Sequence, residues 1–302
     1  MTIVLEQVCL LMLFAAAGYA LCKTGKVEAK NTKLLSTLEV YIFLPATIFN
    51  TFTSSFTPQY LWEKYQLLIV SAVILLAVAA VAWPVAKWLG GEGYERNVYH
   101  YSLAMPNYGY MGYAMAGGIF GSEMLLNVMV YALPLSCYTY TVGYCLLTKS
   151  KVSVKRLFNS VTLSMLVGAI VGLTGVELPS VAADFLTKAS ACMAPVSMLL
   201  TGMTISEYRI GDLVRKKQVY IVAVLRLVVI PCAAAAVLQA LSLQSLVLPA
   251  LVVLAMPCGL NTVVFPKLIG ESCQTGAALA FVTNVLCCAT IPLCLFLFGG
   301  AG

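Results

Sequence analysis

A chain of 302 residues that is 61% hydrophobic and 10% charged excludes an ordinary soluble domain, in which about a quarter of the residues are charged. The formal charge of +6 comes from basic residues in short hydrophilic gaps between apolar runs, so it reads as membrane topology and not as a nucleic-acid partner. The 11 cysteines lie in or at the ends of apolar segments without C-x-x-C spacing; they read as small buried hydrophobes, and neither a metal site nor a cofactor is expected.

Runs long enough to cross a hydrocarbon core of about 30 Å recur along the chain. In order they cover 5–22, 34–53, 66–89, 98–120 and 125–147, then 158–176, 186–206, 218–241, 246–270 and 273–299. The first resembles the core of a signal peptide. Nothing basic precedes it, however, while Lys23, Lys26, Lys30 and Lys33 follow, which predicts a retained first helix with its N-terminus outside. On this count fifteen of the 18 Lys and Arg residues fall in inner loops, with Lys64 and Lys188 outside and Arg226 inside the eighth run. Miscounting by one helix would scramble that asymmetry. The expectation is an all-α integral membrane protein of ten transmembrane helices, multi-pass in the plasma (inner) membrane, with both termini outside.

Landmarks recur at half the chain length. Ala104-Met105-Pro106 in the fourth run returns as Ala255-Met256-Pro257 in the ninth, an offset of 151. Pro45 answers to Pro195, 150 apart, and Pro84 to Pro231, 147 apart. Each half, 1–150 and 151–302, holds five runs, and an odd number starts the second copy from the opposite side of the membrane. Inverted five-helix repeats are thus expected, an arrangement that suits alternating access about one site.

The fourth and ninth runs are interrupted alike. Pro106 removes a backbone hydrogen bond and Gly109, Gly112, Gly117 and Gly118 follow; Pro257, Cys258, Gly259, Leu260, Asn261 and Thr262 repeat the pattern. A helix broken in mid-membrane leaves unpaired N–H groups and a positive dipole end, both suited to a carboxylate. Asn107 and Asn261, beside the breaks, are the candidate substrate contacts, or caps of the half-helices. Tyr108, Tyr110 and Thr262 are further candidate donors, with packing the alternative for the tyrosines.

Charges inside the runs suggest function by default. Glu39, in the second run, is a candidate proton-coupling group or a surface-reaching partner of Lys30 or Lys33. Arg226 sits about 12 Å into the eighth run at 1.5 Å per residue and should face the interior, paired with backbone carbonyls or, as the alternative, with substrate. His100, the single histidine, reads as interfacial and structural, and Lys267 as a topology residue or an anion guide.

Taken together, Phe43-Leu44-Pro45-Ala46, Asn107 with its glycines, Ala194-Pro195 with Gly202, Leu225-Arg226-Leu227 before Pro231, Met256-Pro257 and Asn261-Thr262 resemble the auxin efflux carrier family, including its bacterial malate and malonate permeases. The resemblance spans the chain. It implies a fold similar to sodium/proton antiporters and bile-acid symporters, with helices 4 and 9 crossing at their prolines. It further implies a transport domain of helices 3–5 and 8–10 that moves as an elevator against a scaffold of helices 1, 2, 6 and 7, and carboxylate binding beside the crossing. The short link of about ten residues between the halves, Thr148 to Leu157, departs from the plant members and favours a compact bacterial-type permease.

The expected function is secondary transport, or facilitation, of small organic anions such as malate or malonate, with the lipid bilayer as surroundings, protons as the candidate coupling ion and a homodimer as the candidate assembly. A sodium-coupled bile-acid-type symporter is disfavoured because no Asp or Glu stands at either break. A non-transporting sensor on the same fold is the other alternative. An enzyme is not expected, since no His/Cys/Asp cluster accompanies the single histidine.

Overall fold

Within hydrocarbon a backbone satisfies its own polar groups only as a helix or a closed barrel, and this chain takes the first solution. The structure is a computed structural model describing residues 2–28, 31–90 and 93–299. Helices account for every element of the described residues apart from one isolated β-bridge. Seven of them are long and apolar enough to cross a membrane.

Helix α1 spans Thr2–Lys23. Next come α2, Thr32–Leu38, a π-helical turn at Glu39–Phe43, and α3, Leu44–Ser55, which together make one continuous rod. Thr57 caps the short α4, Pro58–Lys64, by accepting from the Tyr60 amide. This helix was not anticipated from the apolar runs, being too short and too polar to register. Helix α5 covers Gln66–Trp88.

Helix α6, Tyr94–Ala104, stops before Pro106, and the chain resumes as a π-turn at Tyr108–Gly112 that leads into α7, Tyr113–Tyr131. Gly121, at φ 81° and ψ −172°, splits α7 where the fourth and fifth apolar runs divide. The chain continues through α8, Leu133–Tyr138, a third π-turn at Thr139–Gly143, and α9, Tyr144–Thr148.

In the second half, α10 is Ser160–Thr174, α11 Ser180–Ser206 and α12 the single turn Ile210–Leu213. Helix α13, Lys217–Val224, a fourth π-turn at Leu225–Val229 and α14, Ile230–Ala240, form another rod. Helix α15, Gln244–Leu254, ends ahead of Pro257, α16 is Asn261–Lys267, and α17 is Gln274–Phe298.

Two packings position the centre of the molecule. Helices α1 and α11 lie against each other so closely that a β-carbon at Gly18 would overlap the Leu199 carbonyl, and one at Gly202 the Ala15 carbonyl. Small residues permit such an approach, and tight backbone contact is how helices associate when lipid is as apolar as their side chains. Likewise Gly276 lets α17 close on the Thr262 carbonyl at the start of α16.

Candidate functional site

The two interruptions meet. Met105 turns extended at φ −112° and ψ 113° after α6 ends. Pro106 then pairs with Cys258 in an antiparallel bridge, and the Asn107 amide donates to the Pro257 carbonyl at 2.8 Å. Gly259 lies over this contact, where a β-carbon would stand 3.8 Å from the Pro106 carbonyl oxygen and 3.9 Å from the Asn107 α-carbon.

Part of the backbone need expected at the breaks is met internally. Besides the Asn107 amide, the Cys258 amide donates to Thr283 Oγ1 of α17 at 3.0 Å. Further on, Met111 and Gly112 donate to the Asn107 carbonyl at 3.3 and 3.0 Å, so the amides of Tyr108, Gly109 and Tyr110 precede the first bond of their turn. Val263 and Val264 donate to the Leu260 carbonyl at 2.8 and 2.9 Å, which leaves Gly259 to Thr262 in the same position ahead of α16.

The two asparagines differ. Asn107 is 5% exposed, and its Nδ2, a buried donor, has no partner among the described residues. A buried amide left this way is costly unless something else accepts from it. Asn261 Nδ2 instead donates to the hydroxyl of the buried Tyr101 at 2.9 Å. Neither side chain caps the segment it opens.

The other candidates are mostly braces. Thr262 is fully buried and donates to the Gly259 carbonyl at 3.0 Å. Tyr108 shares a hydrogen bond of 3.0 Å with Ser136, and Cys258 Sγ faces the Ser102 carbonyl at 3.7 Å. Tyr110 is half-buried, on the turn that packs against α11. Lying away from the crossing, His100 Nε2 meets the Tyr138 hydroxyl at 2.8 Å with Trp83 edge-on to its ring. Lys267 pairs with Glu207 at 2.5 Å.

Arg226, fully buried, directs its guanidinium at three backbone carbonyls: Nη1 to Leu103 at 3.0 Å, Nη2 to Leu254 at 2.7 Å and Nε to Met256 at 3.4 Å. These oxygens lie at or just beyond the ends of α6 and α15, the two helices that stop at the crossing. Negative dipole ends thus take the place of an acidic partner, since no carboxylate forms an ion pair with Arg226 among the described residues. Glu39 is equally buried, and neither carboxyl oxygen has a partner among the described residues. Of its expected partners, Lys33 is exposed and Lys30 lies outside the described residues.

Three participants escaped the sequence reading: Tyr101, Ser136 and Thr283. Thr283 alone left a trace, as a hydroxyl in the middle of an apolar helix. A groove of about 460 Å³ lies between α5 and α14 and touches Leu103; its lining is aliphatic, so it offers nothing to a charged ligand.

Comparison with known proteins agrees with this architecture. The sequence matches a family described as membrane transport protein over residues 3–155 and again over 144–295. It is also 25% identical over 126 residues to a protein named as an uncharacterized transporter of Methanocaldococcus jannaschii, a stretch covering 41% of each chain. With two interrupted helices paired back to back inside a helical bundle, and the family match running through both halves, the chain is an integral membrane protein that belongs to the membrane transport protein family, the family of the auxin efflux carriers.

Proposed function

We propose that the protein is a secondary carrier of small organic anions, mono- or dicarboxylates such as malate or malonate, working by alternating access. The observation that carries this reading is the crossing itself. Amides ahead of two resumed helices and the unpartnered Asn107 Nδ2 flank the pairing of Pro106 with Cys258, the Arg226 guanidinium reaches the ends of the two helices that stop there, and no carboxylate pairs with that cation among the described residues. An excess of buried positive field in a membrane favours an anionic guest.

In this reading the chain crosses the membrane ten times as two inverted five-helix repeats, 1–150 and 151–302. Dividing 108–131 at Gly121 and joining each part to its neighbour turns the long apolar helices, with the shorter α10 and α15, into ten crossings. The matched stops at α6 and α15, both 11 residues long, support the repeat. Crossings 3–5 and 8–10 form the moving body and 1, 2, 6 and 7 the scaffold, with both termini outside the plasma (inner) membrane.

Asn107 contacts the anion directly. Asn261 and Thr262, with Tyr108, Pro106, Pro257, Cys258 and Gly259, shape the seat around it. Uptake of labelled mono- and dicarboxylates into proteoliposomes tests the reading. Asn107→Ala should lower flux at least about tenfold, since one lost charge-assisted hydrogen bond amounts to 1.4 kcal/mol or more, while purified yield stays normal. Asn261→Ala should lower it less, because its amide is already engaged by Tyr101. Wild-type flux in both variants, or no flux of any carboxylate by the wild type, overturns the assignment.

A further inference from the structure

With Arg226 paired to carbonyls, Glu39 is the buried acid that stays unexplained among the described residues. It opens the π-turn Glu39–Phe43, has no exposed surface and directs both carboxyl oxygens into protein without a partner among the described residues. π-turns inside α-helices concentrate at functional positions, and those at Tyr108–Gly112 and Leu225–Val229 hold residues of the crossing. An ionised carboxylate enclosed this way inside a bilayer is far too costly without a counter-charge. Enclosed as it is, the group therefore carries a proton.

Among the described residues, the elements packed against the turn supply no buried counter-charge. The turn packs against α2, α3, α10 and α11. Neither α3 nor α10 has a titratable side chain. Lys33 on α2 is exposed, as are Asp184, Lys188 and Cys192 on α11, and Glu207 at the end of α11 is held by Lys267. Helix α11 also packs against the turn Tyr108–Gly112, which leaves the crossing directly after Asn107, so one helix touches both turns. A negative Glu39 here would repel an anion seated beside Asn107. A neutral one would not.

We propose that Glu39 is a proton-binding site that must be filled before the protein closes around an anion, so that one proton travels with each anion. The inference rests on the anion-carrier reading above. The step balances simply: when the packing of the turn on α11 opens to water, hydronium delivers a proton to a carboxylate oxygen of Glu39, an O–H bond forms and water is released; reopening on the far side reverses it. The charge of the carried unit is thereby lowered by one.

Two measurements test it. In the purified protein without substrate, the infrared band of a protonated carboxyl should be present at neutral pH in the wild type and missing in Glu39→Gln. In proteoliposomes with the membrane potential held at zero, a gradient of one pH unit should drive malonate accumulation up to about tenfold per coupled proton in the wild type. In Glu39→Gln, a permanently neutral stand-in, malonate should equilibrate without accumulating and its flux should lose its dependence on pH. A band unchanged by the substitution, or gradient-driven accumulation retained by Glu39→Gln, overturns the proposal. Absence of all flux from a wild type that shows the Glu39 band would instead sink the carrier reading and leave the proton site standing.

Discussion

Arg226 shows how a single side chain meets an otherwise prohibitive requirement. Two helices that stop inside a bilayer expose carbonyls that lipid cannot satisfy, and the guanidinium is the side chain whose fork can reach several at once. Three oxygens from two chain segments converge on it. Arg226→Met should lower stability in detergent by about 3 kcal/mol or more, because it strips donors from all three while leaving them buried. Arg226→Lys keeps the charge but cannot span them, and its Tm should fall between the two. Equal Tm values for all three proteins would show that the carbonyls are satisfied some other way. Before the structure, Arg226 could be placed inside the eighth run and expected to meet carbonyls, because the cost of a charge at that depth follows from sequence position alone. Which carbonyls, one of them 123 residues away in the chain and the others 28 and 30, depends on the crossing.

Among the elements, the contact of α1 with α11 is the most demanding. Its two glycines let one backbone lie on another, with Gly202 against Ala15 and Gly18 against Leu199. Alanine is the better helix former by about 1 kcal/mol, yet Gly202→Ala must push the helices apart, and overpacking of this kind costs about 1–3 kcal/mol. The expected result is a lower Tm, measured by thermal unfolding in detergent. Gly211→Ala, within α12 and with open space where its β-carbon would go, serves as the control and should leave Tm unchanged or slightly raised. Helix existence at this scale was legible, since hydropathy and the prolines marked the apolar rods and both stops. Helix α4 and the π-turns were not. The first is set by a Thr57 cap and the second by local register shifts, neither of which alters the apolar pattern.

On the scale of the whole molecule, ion pairs tie the cytoplasmic ends of the proposed topology. Lys267 with Glu207, at 2.5 Å, joins α16 to the end of α11, that is, the proposed moving body to its scaffold. Lys216 with Glu95, also 2.5 Å and shared with Thr275, lies wholly within the moving body, as does Lys149 with Glu271. Only the first must part in each cycle. A partly exposed pair contributes up to about 1 kcal/mol, so Lys267→Gln should speed amide hydrogen exchange across 261–267 by no more than about fivefold, and Lys216→Gln should leave that segment unchanged. The reverse pattern would place the moving boundary elsewhere.

The sequence by itself determined that the chain is an apolar helical membrane protein, that two helices break at Pro106 and Pro257, and that Arg226 lies at a costly depth; the full burial of Glu39 came from the structure. Hydrophobic length, missing amide hydrogens and the burial of charge are local properties, and composition and spacing express them directly. Tertiary structure alone decided that the breaks touch, with the Asn107 amide on the Pro257 carbonyl, that Tyr101 occupies Asn261 while Asn107 keeps a spare donor, and that Thr283 satisfies Cys258. Each of these is a pairing between distant parts of the chain. Hydrogen-bond partners are chosen by where packed helices deliver them, and no single segment carries that information.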